Sequence, residues 1–225
     1  MSIAQNILYF QEKIKNTNCR LIAVSKTHPP EAIMEAYAAG QRLFGENKVQ
    51  EMAAKQEVLP TDIQWHLIGH LQTNKVKYIA PFVHTIQSVD SLKLLQEINK
   101  QASKHNRIIN CLLQIYIATE ETKFGLSAQE AGTILSSPEF KTLENVQITG
   151  VMGIATNTSS PDKLKEEFRL LRSIYDELKK EFFFDNPVFS EISMGMSSDY
   201  ELAIAEGSTM IRVGSSIFGS RNYAK

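Results

Sequence analysis

Eight apolar, β-type runs recur along this chain, with helical patterning in the gaps between them. That alternation limits the fold more than any other feature. The runs are 21–25, 42–45, 64–68, 84–87, 109–117, 146–151, 188–192 and 210–213. Helical spacing covers 30–39, 47–57, 73–79, 90–105, 127–136, 161–182 and 198–206. Repeated strand–helix alternation predicts an α/β fold with a parallel sheet. Eight such units in 225 residues fit a closed (β/α)8 barrel, the TIM barrel, as a single domain over 1–225. An open doubly wound sheet is the competitor, but no G-x-G-x-x-G follows the first strand. Before the first strand, residues 3–15 place Ile3, Ile7, Phe10 and Ile14 on one helical face, which predicts a lead-in helix. The 161–182 helix begins at Pro161 and repeats Leu164, Phe168, Leu171, Ile174, Tyr175 and Leu178 at helical spacing, a core-packing pattern. The short 215–219 segment ends the fold.

Composition excludes several classes. Hydrophobic content of 43% against 22% charged residues supports a sizeable core and argues against disorder. A net charge of -1 argues against a nucleic-acid partner held through phosphate neutralisation. Cys19 and Cys111 belong to no CxxC pair and read as buried thiols in a reducing compartment. The N-terminus lacks a basic region followed by an apolar run, and no apolar stretch approaches a membrane span. The expectation is a cytoplasmic protein with no membrane partner.

The chemistry-bearing residues fall at strand ends. Lys26 follows the apolar run 21–25 and precedes Thr27-His28-Pro29-Pro30. The C-terminal end of a barrel strand is where chemistry is done, and a lysine there can form a Schiff base with an aldehyde. The second strand ends on Glu46 and Asn47, which can either cap the next helix or face a ligand. His66 and His70 are four apart, but Gly69 and the strand-like run before it break the helical geometry of a metal pair, so no metal is expected. Asn74 and Lys75 read as a polar lid or as helix-start residues. After the seventh strand, Gly195 permits a tight turn, and Ser197 or Ser198 can open a helix whose N-terminus would attract an anion. Arg212 sits inside the eighth apolar run, where an unpaired charge is costly, so it needs a carboxylate or a ligand. Gly214 and Ser215 form the following tight loop, and barrel phosphate sites are often built after strands seven and eight. A lysine, an anion-binding loop pair and a buried arginine together fit pyridoxal phosphate (PLP): Lys26 takes the aldehyde, the loops the phosphate, Arg212 the ring nitrogen. An aldolase-type barrel acting on a sugar phosphate also fits the lysine and the loops. It does not explain Arg212, and such a protein would be colourless.

The stretches AVSKTHP (23–29), FGENKVQE (44–51), WHLIGHLQTNKVK (65–77), TEETKFGL (119–126), GVMGIAT (150–156) and SMGMSSDYELAIAEGSTMIRVGSSIFGSR (193–221) cover nearly the whole chain. In them the chain resembles the YggS/PROSC family of PLP-binding proteins. The resemblance implies a single-domain barrel like the N-terminal domain of alanine racemase. It implies that Lys26 is the Schiff-base lysine, that Ser197, Gly214 and Ser215 hold the phosphate, that Arg212 faces the pyridine nitrogen and that Asn47 lines the pocket. His70 departs from the pattern, since many members carry proline there.

An arginine cannot readily protonate the ring nitrogen, and an unprotonated pyridine is a poor electron sink. Alanine racemase adds a second domain and a tyrosine base. This chain ends soon after its eighth strand, and Tyr200 and Tyr223 belong to no motif that would make either a base. The expected function is therefore PLP held as an internal aldimine on Lys26 by a carrier or regulator of vitamin B6 and amino-acid pools, without robust catalysis. The alternative is a small PLP-dependent amino-acid racemase. PLP-dependent apo-enzymes are the expected acceptors, and a monomer is the expected state. Whether the segment around 119–125 closes over the pocket is left open by the sequence.

Overall fold

The computed structural model describes residues 1–118 and 124–219. A lead-in helix, α1 (Ile3–Ile14), starts at Ser2. The Ser2 hydroxyl accepts from the Gln5 amide at 3.2 Å, and the Gln5 side chain accepts from the Ser2 amide at 2.9 Å, a reciprocal cap. Strands and helices then alternate: β1 (Arg20–Val24), α2 (Pro30–Ala38), β2 (Leu43–Glu46), α3 (Val49–Gln56), β3 (Gln64–Leu67), a 3-10 turn (Thr73–Tyr78), β4 (Thr85–Val89), α4 (Leu92–Ser103), β5 (Ile109–Ile115), α5 (Ala128–Ser136), α6 (Pro138–Lys141), β6 (Val146–Gly153), α7 (Pro161–Phe182), β7 (Glu191–Ser193), α8 (Tyr200–Ala205), β8 (Met210–Val213) and α9 (Ser215–Phe218).

All eight strands are parallel and close into a barrel in sequence order. Closure between β1 and β8 pairs Ile22 with Arg212 and Ala23 with Val213. This is the (β/α)8 TIM barrel predicted from the alternation. Its ring of helices is held by apolar burial: α7 buries Leu164, Phe168, Leu171, Ile174, Tyr175 and Leu178, each worth about 1.5–3 kcal/mol. The inner wall is narrow beside β2. A Cβ on Gly45 would lie 3.0 Å from the Ile22 side chain and 3.2 Å from that of Ile68.

Four elements differ from their sequence reading. The run 188–192 yields a strand only at Glu191–Ser193. The Val188 amide donates to the Asn186 side chain at 3.0 Å and the Phe189 carbonyl accepts the Tyr175 hydroxyl at 3.0 Å. Phe189 itself stacks between Tyr175 and Phe183, so its apolarity serves the helix layer. The 73–79 helix is a 3-10 turn. The 47–57 helix starts at Val49, with Lys48 as its extended N-cap, so Asn47 does not cap it. The 198–206 helix has six residues from Tyr200, which leaves Ser197 and Ser198 in the preceding turn. Cys19 and Cys111 are both buried and unbridged. Burial pushes the Cys19 thiol up to about 11 and that of Cys111 higher still.

Candidate functional site

The six residues that the resemblance assigns to the cofactor meet in one place. Lys26, Asn47, Ser197, Arg212, Gly214 and Ser215 all line a cavity of about 320 Å³ at the C-terminal ends of the strands. His28, Ile68, Ile154 and Met196 complete much of its wall.

Lys26 is half-buried on the turn after β1. Its neighbours are fixed by a buried ionic cluster. The Ser25 hydroxyl donates to Glu46 Oε1 at 2.6 Å, and Lys55 Nζ donates to Glu46 Oε1 at 2.7 Å, to Glu51 Oε1 at 2.7 Å and to the Ser25 carbonyl at 2.9 Å. Glu51 also accepts from the Thr27 amide. Thr27 is held at φ 68, a left-handed conformation that costs a β-branched residue about 1–3 kcal/mol. Residues 25 and 27 are thus tied to α3 from both sides of the lysine. Glu46 neither caps a helix nor faces the cavity: it is wholly buried, and burial holds its carboxyl above the usual range despite Lys55 and the Ser25 hydroxyl.

Arg212 enters from β8 at 4% exposure. Its Nη1 donates to Ser193 Oγ at 2.7 Å and its Nη2 to the Gly153 carbonyl at 2.9 Å. Among the described residues no carboxylate accepts a hydrogen bond from it; its hydrogen-bond partners are neutral. Burial pulls its pKa down to about 10, and the nearby Asp199 charge opposes that. It therefore stays charged at neutral pH and presents donors only.

The loops after β7 and β8 meet beside it. The Gly214 amide donates to Ser197 Oγ at 3.3 Å. A Cβ on Gly214 would lie 3.2 Å from the Val24 carbonyl oxygen, so a side chain there would press on the end of β1. Gly195 has φ +93, and a Cβ on it would meet that of Ala203 at 2.5 Å, so the turn needs glycine. Met196 apart, the cavity wall here is made of small side chains and backbone.

The alanine racemase N-terminal domain family model matches residues 1–222. A pyridoxal phosphate homeostasis protein of Aquifex aeolicus is 41% identical over 213 residues, covering 93% of this chain and 90% of that one. The protein of the same name from Escherichia coli K12 is 36% identical over 236 residues, covering 99% and 98%. The chain belongs to the pyridoxal phosphate homeostasis protein family. A solved structure with PLP bound, PipY of Synechococcus elongatus PCC7942, is 39% identical with a TM-score of 0.86 and covers 97% of this chain and all of that one. Alanine racemase from Bartonella henselae, 18% identical with a TM-score of 0.71 over 99% of this chain and 60% of that one, shares the barrel.

Within this family member the other candidates separate. His66 is inside the barrel, while His70 stacks on Phe124 at 4.6 Å and pairs with Asp90 at 3.2 Å at the rim. Tyr200 packs edge-on against Phe10 and donates to Glu201 at 3.0 Å; it does not line the cavity. Asn74 and Lys75 sit in the 3-10 turn, away from the cavity wall. Tyr223 and residues 119–123 lie outside the described residues. Sequence reading passed over His28, whose ring lines the cavity and stacks on Phe218 at 5.1 Å. Its place two residues after Lys26 on the same strand-end turn was the available signal. For Lys55 the i,i+4 spacing to Glu51 was the available signal, while its bonds to Glu46 and the Ser25 carbonyl reach β2 and the turn after β1 and had none.

Proposed function

We propose that this protein holds pyridoxal 5'-phosphate as a Schiff base on Lys26 and serves the homeostasis of PLP and amino-acid pools as a carrier or regulator. The observation that carries the reading is the shared cavity: one lysine on a preorganised turn, one buried guanidinium with neutral hydrogen-bond partners, and a wall from the loops after β7 and β8 that is small apart from Met196. The donor set fits the cofactor. Arg212 has N–H groups beyond the two already engaged and needs an acceptor without a proton, which a pyridine nitrogen is. Ser197, Ser215 and the amide-bearing Gly214 loop supply neutral donors for a phosphate, and Asn47, just past the end of β2, lines the same cavity. Bound PLP supplies an electrophilic aldehyde and a conjugated ring. The chain's own residues anchor it and hold its ring nitrogen against a permanent cation, which weakens the ring as an electron sink.

The names of the family members and the PLP-bound PipY structure support the cofactor assignment. PLP-dependent apo-enzymes are the proposed acceptors, the cytoplasm the proposed site, and a monomer over one barrel domain the proposed state. Among the described residues no helix is long and apolar enough to cross a membrane.

A small racemase is the second reading, and His28 on the cavity wall is the feature in its favour. It shares a turn with Lys26, so the two belong to one edge of the cavity and not to opposite faces of a bound ring. The test is α-proton exchange of amino acids in deuterated water with PLP-loaded protein. A carrier gives exchange no faster than free PLP at the same concentration. Exchange well above that background, lost in His28→Ala, would establish the enzyme reading.

A further inference from the structure

The barrel interior contains a continuous polar chain in place of the branched apolar layers that usually fill such barrels. Arg212 Nη1 donates to Ser193 Oγ at 2.7 Å, Ser193 Oγ meets Gln87 Oε1 at 2.7 Å, and Gln87 Nε2 meets His66 Nδ1 at 3.0 Å. Ser193 and Gln87 are fully buried and His66 is 1% exposed. The direction of every bond follows from its first donor. A guanidinium only donates, so the Ser193 hydroxyl proton must go to the Gln87 carbonyl oxygen. The Gln87 amide then faces His66 with its NH₂ and can only donate. His66 Nδ1 accepts, and the ring proton is on Nε2. That Nε2–H is buried and has no partner among the described residues. An orphan donor of this kind is costly unless something accepts from it.

His66 lines a second cavity, of about 300 Å³, with Arg20, His84, Asn110, Gln147 and Glu191. Arg20, Glu191 and Met210 open their strands and Asn110 and Gln147 are second in theirs, so this cavity lies at the N-terminal end of the barrel, opposite Lys26. Its formal charges are one of each sign: the Arg20 guanidinium bonds the Glu191 carboxylate. His66 and His84 are neutral, because burial lowers both and the Arg20 charge lowers them further. A net anion would meet Glu191 and a net cation would meet Arg20. A dipolar ligand satisfies both. At a water's share of about 30 Å³, the volume equals roughly ten waters, room for a ligand of about six to eight heavy atoms.

We propose that the cavity at the N-terminal end of the barrel binds a small zwitterion of the α-amino-acid class, its carboxylate accepting from His66 Nε2–H and Arg20 and its ammonium donating to Glu191. The site is separate from the Lys26 cavity and does not depend on its occupant.

The experiment is NMR of protein labelled with ¹⁵N-histidine, titrated with glycine, alanine and serine, with acetate and methylamine as half-ligands. His66→Gln assigns the signal. The expected result is a His66 Nε2–H resonance that shifts saturably with at least one of the three amino acids. Affinity should be at least tenfold weaker for either half-ligand, and at least tenfold weaker for the amino acid in Arg20→Met and Glu191→Gln. Both variants change side chains at the cavity mouth and should leave the fold intact, which unchanged His28, His70 and His105 signals will report. The shift should persist in Lys26→Ala. A signal that none of the amino acids moves, with water the only occupant, overturns the proposal. So does an equal response to acetate alone, or a response lost in Lys26→Ala and kept in Glu191→Gln.

Discussion

Replacing Lys55 with methionine is expected to destabilise the fold by about 3–5 kcal/mol, the usual cost of removing one partner from a buried ion pair. Lys55 is 5% exposed and Glu46 wholly buried. Without Lys55, the Glu46 carboxylate keeps one donor, the Ser25 hydroxyl at 2.6 Å; its Oε2 already has none among the described residues. At about 2–4 °C per kcal/mol for a chain of this size, the melting temperature should fall by roughly 6–20 °C. The deficit should also depend on pH. The Glu46 carboxyl is raised in the folded state, so the fold binds more protons than the unfolded chain, and stability is lost as pH rises from the ordinary carboxylate value through the raised one. Removing Lys55 raises it further. The deficit should therefore be smaller in mildly acidic solution, toward the ordinary carboxylate range, than at a pH well above it. Urea unfolding of cofactor-free protein at one pH of each kind measures it. The double variant Glu46→Gln/Lys55→Met removes the charge with its partner and should recover most of the loss. A Lys55→Met deficit under about 1 kcal/mol, a deficit equal at both pH values, or a double variant no better than the single would refute this account of the Lys26 turn.

Further outcomes follow from the same geometry. Arg212→Met should cost only about 1–3 kcal/mol in urea unfolding of cofactor-free protein, because its hydrogen-bond partners are a hydroxyl and a carbonyl, and the buried Asp199 carboxylate that feels its charge keeps the Met196 amide as a donor. PLP bound to that variant should gain a pH-dependent absorption spectrum as its ring nitrogen becomes protonatable. Ser197→Ala should weaken PLP binding about 10- to 100-fold, the worth of one hydrogen bond to a charged group, in fluorescence titration, with the fold unchanged by circular dichroism. Gly195→Ala should lower stability by at least about 2 kcal/mol in thermal unfolding, since its φ of +93 and the 2.5 Å approach to Ala203 leave no relaxed place for a methyl group.

The barrel was legible because each strand is a compact apolar run and each helix a separate periodic one; α7 was readable to both ends through Pro161 and its apolar stripe. The β7 boundary was not, because Phe189 is apolar for the helix layer and its backbone bonds to side chains. Strand-end position pointed to Lys26 and to the loops after β7 and β8, since a closed barrel brings all strand ends together, and the family resemblance picked out Asn47; His28 was passed over. Asn47 carried two readings until the helix start at Val49 removed capping. The reading of Ser197 and Ser198 as a helix opening gave way to a turn, since α8 begins at Tyr200. The interior chain from Arg212 to His66 was out of reach: Ser193 and Gln87 are 106 residues apart and meet only across the closed barrel.

The central claim is that Lys26 anchors PLP, and borohydride reduction of PLP-loaded protein followed by peptide mapping tests it most directly. Reduction turns a Schiff base into a stable pyridoxyl-lysine. The account expects stoichiometric pyridoxyl mass on the peptide carrying Lys26, and none on any peptide of Lys26→Ala prepared in the same way. A pyridoxyl group spread over several lysines, or one that persists elsewhere at full yield in Lys26→Ala, would contradict it.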